Sequence, residues 1–159
     1  MTTKPSGNAW HAALGTALLF PAIVQLATFA WIVLSRAAYP MDIEWLEGGE
    51  LYQAYRLMHG LSVYGSPDVG YLPLLHPPGH FVVLALAGKI FGLDYATGRL
   101  VSVAFFALAS ASVAREIASR CATRRERLAV PLVGVAMALT SYPVVSGVYD
   151  LTRNDTTAL

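Results

Sequence analysis

Residues 12–34, AALGTALLFPAIVQLATFAWIVL, carry no charge over 23 positions. As a helix this stretch rises about 34 Å, enough for a bilayer hydrocarbon core of about 30 Å. A secretory leader is the competing reading. The run exceeds the apolar region of about 7–15 residues usual in such leaders, and Ser35-Arg36-Ala37 makes a poor cleavage site. A membrane anchor is therefore the better reading, and the rest of the chain agrees with it.

Of 159 residues, 55% are apolar and 13% charged, against roughly 25% charge in an average soluble domain. Eleven Lys and Arg nearly cancel ten Asp and Glu, to a net charge of +1, which argues against a nucleic-acid partner. The single cysteine, Cys121, excludes an internal disulfide and any zinc framework built on cysteines, and reads as a free thiol without a role.

Outward from the first span, Leu128–Tyr149 is a second uncharged run, of 22 residues. Leu100–Ala114 is shorter, 15 residues between Arg99 and Arg115. Both arginines can snorkel, and a helix can continue through Ile117 and Ala118. Pro77–Leu93 is ambiguous, since its unbroken apolar run is only Phe81–Ala87 and it contains His80 and Lys89. It fits a fourth span or a helix lying in the interface.

Charge separates these options. Residues 115–127 hold Arg115, Arg120, Arg124, Arg125 and Arg127 against two glutamates, which places this loop in the cytoplasm. Residues 42–68 hold Asp42, Glu44, Glu47, Glu50 and Asp68 against one arginine, which suits the outer face. A fourth span at Pro77–Leu93 would drive the arginine loop outside, so the interfacial reading is preferred. The expected fold is all-α and polytopic, with the amino terminus cytoplasmic. Three transmembrane helices span about 12–34, 98–117 and 128–148, and two interfacial juxtamembrane helices occupy the external loop 35–97. Residues 1–10 are expected as a disordered cytoplasmic tail ahead of a membrane domain, 11–159.

Within the external loop, Ile43, Leu46, Ala54, Met58 and Leu61 recur at helical steps, with one gap at Glu50 and Leu51. They predict an amphipathic helix over about 44–59. Pro77-Pro78-Gly79 opens the second, over about 79–92. Six of the eight tyrosines fall in 39–95, where an aromatic belt at headgroup level accounts for most of them. No internal repeat or low-complexity tract is visible.

Several elements then follow in order: Asp42 and Glu47-Gly48 after the first span, Gly60, Tyr64, Tyr71-Leu72-Pro73…His76-Pro77-Pro78-Gly79, Lys89-Ile90-Phe91-Gly92 and Gly98-Arg99-Leu100. Tyr149-Asp150-Leu151-Thr152-Arg153-Asn154-Asp155 follows the third span. Over about residues 10–159 this order resembles the amino-terminal part of integral-membrane C-type glycosyltransferases, the group of protein O-mannosyltransferases and lipid A aminoarabinose transferases. The resemblance implies a multi-pass protein of the plasma (inner) membrane that moves a sugar from a polyprenyl-phosphate carrier to an acceptor at the external face. It implies no certain cofactor, and nothing indicates a divalent metal.

By resemblance, Asp42 is the catalytic base that takes a proton from the acceptor, and glycosyl transfer calls for such a carboxylate. The plainer reading is an N-cap of the helix starting near Ile43. Glu47 is the second candidate base, against a reading as an exposed acid on a polar helix face. Asp155 matches the acid that similar sequences keep at the external end of the third span, with Asp150 as its competitor. Arg99, Arg153, Arg56 and Lys89 are the candidate carrier-binding cations, because guanidinium binds phosphate bidentately. The other reading for each is a snorkelling or topology-setting charge. His76 is a candidate substrate contact. His76 and His80 stand four apart, a metal-ligand spacing on a helix, but Pro77-Pro78 between them opposes a helix there.

Similar enzymes have eight or more spans, whereas this sequence ends at Thr156-Thr157-Ala158-Leu159. It therefore reads as a fragment expected to lack activity alone. The alternative is a small non-catalytic membrane assembly or binding protein. A transporter fragment fits poorly, because the spans are nearly free of the ionisable residues that transporters place at the midplane.

Overall fold

The computed structural model describes residues 7–65, 73, 74, 76–143 and 148–152. Among them the fold is all-helical, with five α-helices and no strand: α1 Gly7–Ala37, α2 Glu47–Met58, α3 Pro78–Phe91, α4 Tyr95–Ser119 and α5 Arg124–Leu139, followed by a 3-10 turn at Val148–Asp150. Two helical segments, Ala13–Ala37 and Tyr95–Ser119, are long and apolar enough to cross a membrane. Only 6% and 11% of their most apolar windows are buried by the protein, so neither is enclosed as the core helix of a soluble domain would be.

The third expected span has no helix of matching length. α5 occupies 16 residues, about 24 Å, and is displaced toward the amino terminus relative to 128–148. Its start is set by a capping box, in which the Thr123 hydroxyl accepts from the Glu126 amide and the Glu126 carboxylate accepts from the Thr123 amide. That box draws Arg124–Arg127 into the helix. At the other end Pro143 disfavours helical backbone at the residue before it. The chain nonetheless returns along most of α1. Arg125 Nη2 donates to Thr16 Oγ1 at 2.7 Å in the first third of that helix, and Asp150 meets Arg36 near its carboxyl end. Thr16 and Arg36 are 20 residues apart on α1, about 30 Å of helix rise.

α1 begins at Gly7, inside the stretch expected as a tail, because no proline or β-branched residue interrupts 7–11. The remaining expected tail, 1–6, lies outside the described residues. α4 starts three residues ahead of the expected span, capped by Asp94, whose side chain accepts from the Thr97 amide at 2.7 Å.

α5 packs against both α1 and α4, while α2 and α3 pair with each other and lie against the amino-terminal part of α4. Ala54 of α2 with Leu84 and Ala85 of α3 form the small core of that pair, and Leu57, Met58, Leu93 and Val101 close around it. Four rings join the long helices to the chain after α5: Phe29 packs on Phe106 and Tyr142 (centroids 5.2 and 5.3 Å), and Tyr149 stacks on Phe106 at 4.8 Å.

α2 departs from the expected amphipathic pattern. Its buried face holds Glu47, Glu50, Leu51, Gln53 and Ala54, so the helix turns carboxylates inward while Tyr52 and Tyr55 are exposed. Buried carboxylates require partners, and these define the site.

Candidate functional site

Arg99, one turn into α4, is 1% exposed and uses all five of its guanidinium N–H groups within the protein. Nε and Nη2 donate to Glu47 Oε1 and Oε2 at 3.0 and 2.8 Å. Nη1 donates to the carbonyls of Arg36 and Tyr39, at 2.8 and 2.6 Å, and Nη2 also to that of Met41 at 2.7 Å. The Tyr95 ring lies 5.4 Å from the guanidinium carbon. Arg99 thus ties the end of α1 and the segment 38–41 to α2, and no donor remains for a phosphate.

Glu47 is equally saturated. Besides Arg99, its carboxylate accepts from the Ile43 amide at 2.8 Å and from the Thr152 amide at 3.0 Å. Burial pushes its pKa up, but the hydrogen bonds from Arg99 and the two amides, with the Arg99 charge, outweigh burial and leave it lowered. Thr152 reaches Glu47 because residue 98 is glycine. A Cβ on Gly98 would stand 2.3 Å from Thr152 Oγ1.

Asp42 has the opposite character. It is exposed and lies on an open depression of about 420 Å³ lined by Ser35, Arg36, Tyr39, Asp42 and Ile43. The Tyr95 hydroxyl hydrogen-bonds to its carboxylate. It does not cap α2, whose N-cap position is Leu46, with no side-chain cap. Glu44 and Glu47 take the nearby amides of Leu46 and Ile43 instead. Gly48 gives Asp42 its space, because a Cβ there would sit 3.1 Å from Asp42 Oδ1.

Arg36 lines the same depression. Its Nη1 donates to the Tyr142 hydroxyl at 2.9 Å and approaches Asp150 Oδ1 at 3.4 Å. Asp150, 1% exposed, also accepts from the Tyr142 hydroxyl at 2.6 Å. Asp150 therefore belongs to this centre from beneath, as a buried partner of Arg36.

A second cluster lies further along α2. Glu50, fully buried, holds His76 (Nδ1 to Oε1, 2.6 Å) and faces His80 (Nε2 to Oε2, 3.8 Å). The Tyr64 hydroxyl donates to the His76 carbonyl. Among the described residues no group of three or more His, Cys, Asp or Glu is placed to hold a metal ion.

The structure thus brings together Asp42, Glu47, Arg99 and Asp150, and puts His76 on the neighbouring cluster. Arg56 stands apart, donating through Nε to the Ser62 carbonyl at 2.8 Å and lying 6.0 Å from the Tyr52 ring. Lys89 is exposed in the last turn of α3. Arg153 and Asp155 lie outside the described residues. Sequence reasoning missed Arg36, Tyr95 and Tyr142 as members of the centre. Arg36 did leave a signal, being a positive charge at the end of a span that charge balance places on the acid-rich side.

No family model, curated protein or solved structure matches the chain.

Proposed function

We propose that this chain is the amino-terminal membrane portion of a glycosyltransferase that uses a polyprenyl-phosphate sugar, with Asp42 as the base toward the acceptor. α1 and α4 cross the membrane with α5 beside them, the amino terminus is cytoplasmic, and the Asp42 depression opens at the external face. The pairing of Arg125 with Thr16 and of Asp150 with Arg36, about 30 Å apart along α1, supports three crossings.

One observation carries the reading: Asp42 is the exposed carboxylate of the centre, with Arg36 lining the same depression and Tyr95 donating to it, while Glu47 and Asp150 are buried and engaged. A base must reach an acceptor proton, and of the described carboxylates in the centre Asp42 is the one open to do so. Arg99 and Glu47 serve as positioning residues, because Arg99 holds the carbonyls just before Asp42 and Glu47 anchors Arg99 and accepts from the Ile43 amide just after it. Arg36 is the cation nearest to meet a phosphate-bearing leaving group, with Lys89, Arg56 and Arg153 as further candidates.

The test is sugar transfer from a labelled polyprenyl-phosphate donor, in membranes carrying the chain within its genomic reading frame. Replacement of a general base lowers rates by about 10²–10⁴-fold, so Asp42→Asn is expected to lose transfer on that scale. Retention of full transfer by Asp42→Asn, in protein extracted folded, overturns the assignment.

A further inference from the structure

The far end of the molecule carries a second charged feature that the site does not use. Arg115, Arg120, Arg124, Arg125 and Arg127 are all exposed around the turn between α4 and α5. The two acids among them are already occupied. Glu116 pairs with Arg120 at 2.6 Å, and Glu126 accepts the amides of Ala122 and Thr123 in the capping box. Arg125 is turned to Thr16, and Arg127 Nε donates to the Cys121 carbonyl at 3.1 Å. Arg115 and Arg124 make no hydrogen bond or ion pair with any described residue.

The height of this cluster is fixed by α4. Arg99, in the polar centre, and Arg120, at the end of the helix, are 21 residues apart, about 31 Å of rise. That matches the bilayer core of about 30 Å. With the centre at one interface, the α4–α5 turn stands at headgroup depth on the other. Arg115, 16 residues and about 24 Å along α4 from Arg99, reaches that depth by snorkelling, and Thr16 beside Arg125 marks the same level on α1. Guanidinium presents a planar fork suited to phosphate oxygens, and an uncompensated pair at that depth meets phosphodiesters before any other anion.

We propose that Arg115 and Arg124 form a docking site for anionic phospholipid headgroups of the leaflet facing the α4–α5 turn. The inference rests on the membrane-spanning reading above. The partner is the lipid headgroup, held by bidentate guanidinium–phosphate contacts, and the remaining arginines supply the surrounding positive field.

The test is native mass spectrometry of the detergent-solubilised chain titrated with phosphatidylglycerol or phosphatidylcholine. Wild type is expected to retain phosphatidylglycerol in preference. A juxtamembrane arginine near an anionic surface accounts for about fivefold in binding, so Arg115→Gln with Arg124→Gln should lose most of that preference. Arg115→Lys with Arg124→Lys should keep a preference, since the charge remains. Equal retention of both lipids by wild type, or an unchanged preference in the double glutamine variant, overturns the proposal. Displacement of the lipid by inorganic phosphate or by an RNA oligonucleotide also overturns it, because it would show a general anion patch. Alkaline extraction of membranes separates the two levels. A chain released by alkali defeats the spanning reading and this proposal with it. A chain retained without lipid preference defeats this proposal alone.

Discussion

Arg99 and Glu47 form a buried two-bond ion pair, Nε to Oε1 at 3.0 Å and Nη2 to Oε2 at 2.8 Å, across 52 positions of sequence. The pair closes α4 onto α2, and the other donors of Arg99 fix the turn that delivers Asp42. Removing one partner of a buried pair leaves an uncompensated charge and costs about 3–5 kcal/mol. Arg99→Met and Glu47→Leu are each expected to lower the thermal unfolding midpoint strongly in detergent. The double variant Arg99→Met with Glu47→Leu should fall less than the sum, because no lone charge remains. Strict additivity of the two would mean that the pair is not coupled.

The same pair has a pH signature. Glu47 has a folded-state pKa below its ordinary value of 4.5. A depressed carboxylate contributes stability above its unfolded pKa and loses it as pH falls through the folded value. The unfolding midpoint is therefore expected to drop as the medium is acidified below about 4.5. Glu47→Gln should flatten that part of the profile while lowering its plateau. Midpoints measured over a pH series in one detergent decide it, and an unchanged acid limb in Glu47→Gln would count against Glu47 as the titrating group.

Gly98 and Thr152 meet too closely for any side chain at 98, since an added Cβ would lie 2.3 Å from Thr152 Oγ1 and 2.7 Å from Cγ2. Gly98→Ala is expected to destabilise by about 1–3 kcal/mol through overpacking. Thr152→Ala, which removes both of those atoms, should restore part of the loss when combined with it. A thermal-melt double-mutant cycle reads the coupling. Absence of rescue would place the strain elsewhere on α4.

Glu47-Gly48 acts as a unit with divided tasks: the acid anchors Arg99, and the glycine leaves room for Asp42. A Cβ on residue 48 would stand 3.1 Å from Asp42 Oδ1 and 3.4 Å from the Tyr95 hydroxyl. Gly48→Ala is therefore expected to shift the Asp42 carboxylate and its Tyr95 bond. Sugar transfer should fall, by less than the roughly 10²-fold that a misplacement of about 1 Å costs, because a contact of 3.1 Å is relieved by a smaller shift. Stability should change by less than about 1 kcal/mol, because Asp42 is exposed and caps no helix. Transfer assays and melts on the same preparation separate these effects, and equal damage to both would make Gly48 a packing residue only.

Much of the helical framework was legible because apolar runs report it directly. Ala12–Leu34, Leu100–Ala114 and Phe81–Ala87 each fall inside a helix. α5 was misjudged in length because an uncharged run says nothing about the Thr123–Glu126 box that starts the helix early or about Pro143 beyond its end. The centre was half legible. Asp42, Glu47 and Arg99 stood out as residues, but their division into an exposed acid and buried anchors depends on contacts across 52 and 105 positions, which no local pattern encodes. Glu50 leaves a gap in the apolar face of the sequence pattern, and a buried acid beside His76 and His80 accounts for it. Arg36 and Arg99 shared one signal, positive charge on the acid-rich side of a span. A cation placed against the charge rule needs a carboxylate to hold it, and Asp150 and Glu47 are those carboxylates.

That same charge arrangement makes the membrane topology testable. Ser62 follows α2, and Ala122 lies in the turn between α4 and α5, both exposed. In a Cys121→Ser background, Ser62→Cys is expected to react with a membrane-impermeant maleimide added outside intact cells. Ala122→Cys should react only after the membrane is opened. The separation is expected from α4, whose rise of about 31 Å between Arg99 and Arg120 is long enough to reach from one headgroup layer to the other. A fourth crossing at α3 would put the five arginines outside, against the positive-inside rule, and Ala122→Cys would then label in intact cells. Both sites reacting from the same side would remove α4 as a crossing helix, and with it the proposed external placement of Asp42.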